Sequence, residues 1–309
     1  MSKANEGAQA PLQLSILIVT YNSADTIREC IESVIPELNS LSGEIIVVDN
    51  HSRDETVGIL KTLQGSHSEL KVELNRVNRG FAVGNNQALE QSRGRQILIL
   101  NPDTILKPGV VPGLLEALDG SKEIGLVAPQ LRFPDGRIQK TCRRFPKHLD
   151  VIYNLAGLAY SFPRNRVFNG WKMGDFDHLS RREVDQPAGA ALMVEGDLLR
   201  SLAGFDPNFP MFFNDVDLCK RIKGAGYKIW YLPEYHIVHL GGVSVKQAKL
   251  KMTVSSHVSF FRYFEKHFTR LHQQPMNFLV GMLLYLSLIP RLLILVLFKG
   301  KSNSTRDTL

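Results

Sequence analysis

The sequence predicts an α/β protein with a mostly parallel β-sheet, helices on both faces, and an apolar helical segment at the carboxyl end. Strand-like and helix-like patterns alternate through the first ~120 residues, which is the order that produces a parallel sheet. Polar residues directly follow several of these strands, as expected where ligands bind beyond the carboxyl ends of strands. Near the end of the chain, Phe278–Phe298 is almost entirely apolar apart from Pro290-Arg291.

The alternation begins with a strand predicted at Leu14–Thr20, where the residues are apolar and often β-branched. Apolar residues then recur at helical spacing between Ile27 and Ile35, and Pro36 predicts the end of that helix. Glu44–Asp49 predicts the second strand. Ser52 and Glu55 have the spacing of a capping box, so we expect the second helix to begin there.

The alternation continues to about residue 120. In chain order the sequence predicts a strand near Lys71–Asn75, a helix starting in NRGFAVGNNQAL, a strand at Ile97–Leu100 and a helix around Val111–Leu118. Pro102 ends the fourth strand, because proline has no N–H for the strand ladder.

The pattern is weaker after Gly125. ALMVEGDLLRSLAGFD predicts a strand and a short helix, and DVDLCKRIKGAGYKIWYLP predicts a helix and a strand. Residues 143–184 are aromatic and basic with little periodicity, which is typical of loops that shape a substrate site.

Composition restricts the class of protein. Apolar residues make up 44% and charged residues 22%, which argues against wholesale disorder. The net charge of +7 favours a polyanionic partner, such as a nucleotide, a nucleic acid or an acidic membrane face. Three distant cysteines without a CxxC spacing indicate buried apolar side chains. The amino terminus lacks the apolar core of a signal peptide, so we expect most of the protein in the cytosol.

Two clusters of polar residues follow the first two strands. Thr20, Tyr21 and Asn22 end the first strand, and the second ends in Asp49, Asn50 and Ser52. A carboxylate can accept hydrogen bonds from a pyrimidine N3–H or from ribose hydroxyls, and hydroxyl and amide groups complete such a contact. The same residue types also favour turns, but two clusters at one sheet edge favour a nucleotide site.

A phosphate site is predicted at the start of the third helix. Asn78, Arg79 and Gly80 precede it, and a helix amino terminus offers free N–H groups and a positive dipole to an anion. Gly80 permits close approach of the backbone.

Asp103 lies just after the fourth strand, in Asn101-Pro102-Asp103, and Asn101 is a further candidate for donor binding. A bare carboxylate beside a diphosphate is repulsive unless a cation lies between them, and Mg²⁺ or Mn²⁺ binds the oxygens of both. We therefore predict that Asp103 binds a divalent cation. The alternative is that Asp103 caps the next helix.

The remaining candidate residues lie in the second half. Asp215 and Asp217 stand at a predicted helix start, where acids also complement the helix dipole. We predict Asp215 as a general base for an acceptor hydroxyl and Asp217 as a structural or acceptor-contacting group. Of His236 and His239, the latter is the better cation ligand, because it stands beside Gly241-Gly242.

The apolar carboxyl segment has roughly the ~20 residues needed to cross a bilayer, although Arg291 lies within it. Basic residues stand on both sides, which suits a segment lying in or dipping into an anionic membrane surface. They are Arg262, Lys266 and Arg270 before it and Lys299 and Lys301 after it. The alternative is a buried helical hairpin in an oligomer.

Six motifs occur in order between about Leu14 and Ser244: VTYN, VVDNHS, NRGFAVGNNQAL, LNPDT, GAALMVEGDLLRSLAGFDPNFPMFFNDVDLCKR and HLGGVS. With these motifs the chain resembles the family 2 glycosyltransferases of GT-A fold, and in particular their bacterial rhamnosyltransferase-like branch. The resemblance implies a Rossmann-like GT-A sheet. It also implies an inverting reaction, in which an acceptor oxygen attacks the anomeric carbon opposite a leaving nucleoside diphosphate.

The resemblance assigns roles to single residues. It implies that Asp49 contacts the donor base, that Asp103 binds the metal, that Asp215 is the catalytic base and that His239 joins the metal or the diphosphate. The implied donor is a dTDP- or UDP-sugar, with rhamnose as one candidate sugar. The implied acceptor is a glycan or polyprenyl-linked hydroxyl in surface-polysaccharide synthesis.

The expected location is the cytoplasmic face of a bacterial inner membrane, with an anionic membrane surface as a partner and no nucleic acid. Oligomerisation is left open. The expected organisation is a flexible amino terminus (1–11), a nucleotide-sugar-binding half (12–125), an acceptor-binding and catalytic half of the same domain (126–250) and a membrane-associating helical segment (251–309).

Two departures from the family pattern keep an alternative open. Asn214-Asp215 replaces the usual Glu-Asp pair, and Asn101 makes Asp103 the only carboxylate of the metal motif. The alternative is a catalytically weak, sugar-nucleotide-binding scaffold at the membrane. A third reading, nucleotidyl transfer, predicts a glycine-rich loop near the amino terminus, which VTYNSADT lacks.

Overall fold

The computed structural model describes residues 12–241 and 249–297. The predicted flexible amino terminus (1–11), Gly242 of the glycine pair, and Phe298, Lys299 and Lys301 of the carboxyl segment lie outside the described residues. The strands are β1 Leu12–Thr20, β2 Gly43–Asp49, β3 Leu70–Leu74, β4 Gly94–Leu100, β5 Thr104–Leu106, β6 Ile124–Arg132, β7 Arg182–Glu183, β8 Ala191–Glu195 and β9 Lys228–His239. The helices are α1 Ile27–Val34, α2 Thr56–Ser66, α3 Phe81–Gln91, α4 Val110–Asp119, α5 His148–Leu155, α6 Leu158–Ser161, α7 Gly196–Ser201, α8 Asn214–Gly224, α9 Lys249–His267 and α10 Gln274–Leu297.

These strands form one sheet in the order β3-β2-β1-β4-β8-β6-β9-β5, with β7 paired to β9. β1 is parallel to β2 and β4, and β2 is parallel to β3. β8 is antiparallel to both β4 and β6, so β6 and its parallel neighbour β9 run in the direction of β4. The carboxyl ends of β1, β2, β3, β4, β6 and β9 therefore meet at one edge, and β8 starts there.

Helices cover both faces of the sheet, as predicted. Because both faces are covered, the central strands are continuous buried runs rather than alternating ones. One core contains apolar residues of α1, α2 and α4 against one face, and the other contains those of α3, α7 and α8 against the opposite face. The predicted α/β class is confirmed. All three cysteines are buried, also as predicted.

The structure corrects several local predictions. The predicted capping box does not form, and α2 begins only at Thr56. Ser52 instead uses its hydroxyl and its N–H on the carboxylate of Asp49. The first helix ends before Pro36, but the chain continues as a short 3-10 helix, Ile35–Leu38. β5, β6, α5 and α6 have no counterpart among the predicted elements.

The carboxyl helices pack onto the second half of the sheet domain. α9 and α10 lie against each other, and Arg291 Nη1 of α10 is 3.3 Å from Nε2 of His257 on α9. Aromatic and aliphatic residues of both helices form a third core with α5 and α8. Its buried members are Val151, Phe209, Val216, Tyr263, Phe264, Val280 and Leu284.

Candidate active site

The ends of β1 and β2 are joined through the carboxylate of Asp49. Its Oδ1 accepts hydrogen bonds from the hydroxyls of Thr20 at 2.9 Å and Ser52 at 2.5 Å, and its Oδ2 accepts the Ser52 N–H at 2.9 Å. A carboxylate has about four acceptor positions, so one on Oδ2 is left for a further donor. Asp49 is buried, and its protein partners fix its orientation.

Asn22 completes this part of the sheet edge. Its N–H donates to the Ser52 hydroxyl at 2.8 Å, and its side-chain oxygen accepts the Arg53 N–H at 2.9 Å. Tyr21 beside it is exposed. Asn22 and His51 have left-handed backbone conformations, with φ of 51° and 66°, and such residues cluster at functional sites.

Asn50 holds the loop that leads into α3. Its side-chain oxygen accepts hydrogen bonds from Asn75 and from the Arg79 N–H, and its amide donates to the Gly80 carbonyl. Gly80 has φ of +86°, which favours glycine. Asn78 and Arg79 are exposed at the sheet edge.

The start of α3 is not open as the sequence suggested. The Phe81 N–H donates to the carbonyl of Pro210 at 3.0 Å, and a side chain on Gly80 would lie 3.3 Å from the same oxygen. The loop before α8 therefore covers part of this helix end. The Arg79 side chain is the accessible cation here, and it has no acidic partner within the described residues.

Asp103 and His239 lie together. Thr104 of β5 pairs with His239 of β9, and this places Oδ1 of Asp103 3.4 Å from Nε2 of His239. Gln139 orients the imidazole, because its side-chain oxygen is 2.8 Å from Nδ1 and its amide donates to the His239 carbonyl. The structure thus brings together the two residues predicted to bind a cation.

Asp103 is not a helix cap. The N–H groups of Gly109 and Val111 donate to the carboxylate of Glu37 at 2.9 and 2.8 Å, so Glu37 caps α4. Asn101 adds no second carboxylate to the site, and its backbone groups are hydrogen-bonded within the protein. Its N–H donates to Ala190 and its carbonyl accepts the Thr104 hydroxyl.

The side chains of Asp103 and His239 fit a divalent cation whose other coordination positions are occupied by further ligands. One carboxylate and one imidazole suit Mn²⁺ better than Mg²⁺, and oxygens of a diphosphate and water would occupy the remaining positions. No cluster of three or more Asp, Glu, His or Cys side chains that could hold a metal occurs in residues 12–241 and 249–297. His239 is the better ligand of the two histidines, because its Nε2 lies 3.4 Å from Oδ1 of Asp103.

Asp215 is the second residue of α8. Its Oδ2 accepts hydrogen bonds from the Gln186 amide and the Gly189 N–H, both at 3.0 Å, and its Oδ1 accepts the Val216 N–H at 2.8 Å. Gly189 permits this approach, because a Cβ there would lie 3.1 Å from that of Asp215. Burial raises the pKa of Asp215, and the hydrogen bonds only partly offset this.

Asp215 and Asp103 belong to the same edge of the sheet. Gly189 and Ala190 lead into β8, which begins at the edge where β4 ends. The Ala190 carbonyl accepts the N–H of Asn101, while Gly189 donates to Asp215. Asp103 therefore follows β4, and Asp215 is hydrogen-bonded to Gly189, which precedes β8, the strand paired with β4.

Asp217 has a structural role. Its fully buried carboxylate lies 2.8 Å from Arg221, 2.6 Å from Lys266 and 2.8 Å from His267. Burial opposes ionisation, but these partners outweigh it and lower the pKa of Asp217 to about 2. Asp217 thus joins α8, which carries Asp215, to α9. Asn214 donates to the carbonyl of Met211 and is also buried.

Three residues of this site escaped the sequence prediction: Gln139, Gln186 and Gly189. Each orients a predicted residue, His239 or Asp215, from a segment without strand or helix periodicity. Of the three, Gly189 had a signal in the sequence, because it is a glycine two residues before the predicted strand ALMVE.

Sequence comparisons find relatives that match about three quarters of this chain. The protein y4gI of Sinorhizobium fredii, itself uncharacterized, is 27% identical over 230 residues, which cover 73% of this chain and 24% of that protein. The N-acetylglucosaminyl-diphospho-decaprenol L-rhamnosyltransferase of Mycobacterium tuberculosis is 24% identical over 241 residues, covering 73% of this chain and 75% of that enzyme. This chain therefore spans about a quarter of the first relative and three quarters of the second.

A solved structure has the same fold. The mannosyltransferase PcManGT of Pyrobaculum calidifontis, in complex with GDP-Man and Mn²⁺, superposes with a TM-score of 0.57 at 17% identity, covering 94% of this chain and 77% of that one. This likeness confirms the GT-A-like α/β fold. The family model of glycosyl transferase family 2 matches residues 15–178, more than half of the chain. The chain belongs to glycosyl transferase family 2.

Proposed function

We propose that this glycosyltransferase moves a sugar from a nucleoside diphosphate donor to a hydroxyl of a glycan or lipid-linked acceptor, with inversion at the anomeric carbon. The observation that carries the proposal is Asp215, whose Oδ1 keeps an acceptor position free at the edge that also holds Asp103 and His239. A carboxylate with a raised pKa is the stronger base for a hydroxyl proton.

Each group of the site has a part in this reaction. Asp49, Thr20 and Ser52 would bind the base and ribose, and Arg79 would bind the diphosphate. Asp103 and His239 would hold a divalent cation, which when bound neutralises charge on the departing diphosphate. Asp215 would accept the proton of the acceptor hydroxyl as its oxygen attacks. No covalent sugar–enzyme intermediate is needed.

The names of relatives support the proposed acceptor class and sugar. The mycobacterial relative is named as an L-rhamnosyltransferase of N-acetylglucosaminyl-diphospho-decaprenol, which supports a rhamnosyl donor and a polyprenyl-linked acceptor, and another relative is named as an O-antigen biosynthesis protein. The proposed donor is a dTDP- or UDP-sugar. The Mn²⁺ in the mannosyltransferase structure supports a divalent cation.

We also propose that the protein works at the cytoplasmic face of the inner membrane. In the described residues one stretch, Leu271–Leu293, is long and apolar enough to cross a bilayer, a test that a core helix can also pass. One face of α10 packs on the protein, while the other exposes an apolar stripe at helical spacing. The stripe consists of Phe278, Met282, Tyr285, Leu286, Ile289 and Leu293.

An interfacial position suits this helix better than a full span. Arg291 contacts His257 of α9 although the residue is exposed, and a helix lying at the interface can keep this charge at the level of the lipid headgroups. The organisation into two halves of one domain, divided at residue 125, and a membrane-associating segment from residue 251 is part of this proposal.

The test of the catalytic proposal is Asp215→Asn. The amide cannot accept the proton, so turnover should fall by about 10²–10⁴-fold while donor binding persists. Both are measured on one preparation, by donor consumption and by thermal stabilisation with UDP- and dTDP-sugars. Asp197→Asn is the matched control, since that side chain is 92% exposed. Near-normal turnover of Asp215→Asn would refute the base assignment and favour the scaffold alternative.

A further inference from the structure

Arg143 lies beside Asp215 but has no part in the donor site. Its N–H donates to the Gln186 carbonyl at 2.7 Å, and the Gln186 N–H donates back at 3.1 Å. Directly opposed residues of an antiparallel pair project their side chains to the same side. The Gln186 side chain reaches Asp215, so the Arg143 side chain leaves the backbone on the side of the catalytic base.

Lys172 adds a second positive charge next to Arg143. The Arg144 N–H donates to the carbonyl of Trp171 at 2.8 Å, which brings the chain at Lys172 alongside that at Arg143. Lys172 is exposed and Arg143 is half-buried. Partial burial lowers the pKa of both groups; the charge of Asp215 partly offsets this for Arg143, and the charge of Arg143 lowers the pKa of Lys172 further.

Neither cation forms an ion pair within the described residues, although the charge of Asp215 acts on Arg143. Within residues 12–241 and 249–297, neither Arg143 nor Lys172 has a carboxylate within ion-pair distance. Arg143 Nη1 donates to the carbonyls of Lys140 and Cys142, both at 2.8 Å, which orients the guanidinium. Its Nε and Nη2 have no protein partner in the same described ranges and are not enclosed. The two cations repel each other, and Asp215 offsets this only for Arg143 and from beyond ion-pair distance, so a bound anion would relieve the repulsion.

We propose that Arg143 and Lys172 bind a phosphate or diphosphate group of the acceptor, next to the hydroxyl that Asp215 deprotonates. The inference rests on the proposed function and names the substrate class of its acceptor. The donor diphosphate belongs to a different place, at the ends of β4 and β9 near Asp103 and His239. The anion at Arg143 is therefore a second one, and an oriented guanidinium suits it because it can bind phosphate oxygens in pairs.

The test measures binding rather than turnover, so that it is independent of the catalytic assignment. Three compounds with the same sugar are titrated into protein saturated with UDP or dTDP: an alkyl glycoside, a sugar 1-phosphate and a sugar diphosphate with an alkyl chain. The full-length protein is used, with Arg143→Gln, Lys172→Gln and the double variant. Arg137→Gln is the matched control, because its side chain is 77% exposed on a surface turn.

The double variant should bind both phosphate compounds at least ~10-fold more weakly and the alkyl glycoside unchanged. Arg143→Lys should recover part of the affinity, which a purely structural role would not give. Stronger binding of the alkyl diphosphate than of the 1-phosphate would identify a diphosphate-linked acceptor, and equal binding a monophosphate.

Two outcomes would overturn the proposal. One is wild-type protein that binds the neutral glycoside as tightly as the phosphate compounds. The other is unchanged phosphate affinity in the double variant. Lys172→Gln changes only an exposed side chain, so its result does not depend on refolding of the segment. If Asp215→Asn kept its turnover while the double variant lost phosphate binding, the catalytic proposal would fail and this one would stand.

Discussion

Asp103 is the residue on which the cation proposal depends. Asparagine in its place keeps the shape but removes the negative charge, so Asp103→Asn should abolish stimulation of activity by Mn²⁺ or Mg²⁺. The measurement is transfer rate against cation concentration, with Asp197→Asn as the control that should respond like wild type. A variant that is still stimulated over the same concentration range would show that the cation is held elsewhere.

Asp215 should determine how activity depends on pH. Burial raises its pKa above that of an ordinary aspartate, and a general base acts only when ionised. Activity should therefore decline, by up to ~10-fold per pH unit, as the pH falls below this raised pKa. The measurement is kcat against pH with saturating substrates. Activity that stays constant down to the ordinary aspartate range near ~4 would contradict the burial effect.

At the scale of residues, the sequence singled out the candidate side chains of the site but not the residues that orient them. Asp103, His239 and Asp215 lie in motifs of the family, and the structure brings the first two into contact. Gln139 and Gln186, which orient His239 and Asp215, are bonded to them from far along the chain. Such partners depend on tertiary packing, and no local pattern reports it.

At the scale of elements, Asp217 ties α8 to α9 through Lys266 and His267. Asp217→Asn leaves these cations without their buried counter-charge, and we expect a loss of about 3 kcal/mol in the free energy of unfolding. The measurement is chemical denaturation, with Asp135→Asn as control, since that exposed pair with Arg137 contributes little. A change under about 0.5 kcal/mol would show that the cluster is not stabilising.

The ion pairs of Asp217 also predict that the protein loses stability in acid. The pKa of Asp217 is about 2 in the folded protein against 3.8 for an unperturbed group, so its contribution is complete above about 4 and is lost as pH falls toward about 2. That contribution amounts to about 2 kcal/mol, and Asp217→Asn should not show it.

Elements with strong periodicity were predictable, and those fixed by long-range contacts were not. Burial on both faces makes β1, β2 and β4 continuous apolar runs that read directly as strands. The capping box at Ser52 failed because Asp49 takes the serine hydroxyl. β5 is only three residues long and depends on its pairing with β9, so no local signal marks it.

At the scale of the whole molecule, the fold class followed from the alternation of elements, but the mixed sheet did not. β8 reaches the centre of the sheet only after the aromatic and basic segment, between β4 and β6, and it runs against both. This insertion places Gly189 and Asp215 beside the end of β4. Strand order of this kind depends on how distant segments assemble, so the alternation of elements in the sequence does not predict it.

The helical hairpin of α9 and α10 joins the catalytic half to the proposed membrane surface. Two changes separate its contribution to stability from its contribution to membrane binding. A chain ending at Asn277 loses the stripe and also the buried Val280 and Leu284, so it should leave membranes and lose about 4 kcal/mol of stability. The triple change Phe278→Ser, Leu286→Ser and Ile289→Ser alters exposed residues only and should leave membranes at unchanged stability.

Both proteins are tested by co-sedimentation with anionic lipid vesicles and by thermal unfolding. Leu74→Ser with Val77→Ser is the control, because these residues are also exposed and apolar but lie far along the chain from the hairpin. It should still sediment with lipid. Sedimentation of the shortened chain at the wild-type level would refute the membrane role of α10. If the triple variant unfolded as easily as the shortened chain, the exposed face would be covered in the native protein, as in an oligomer.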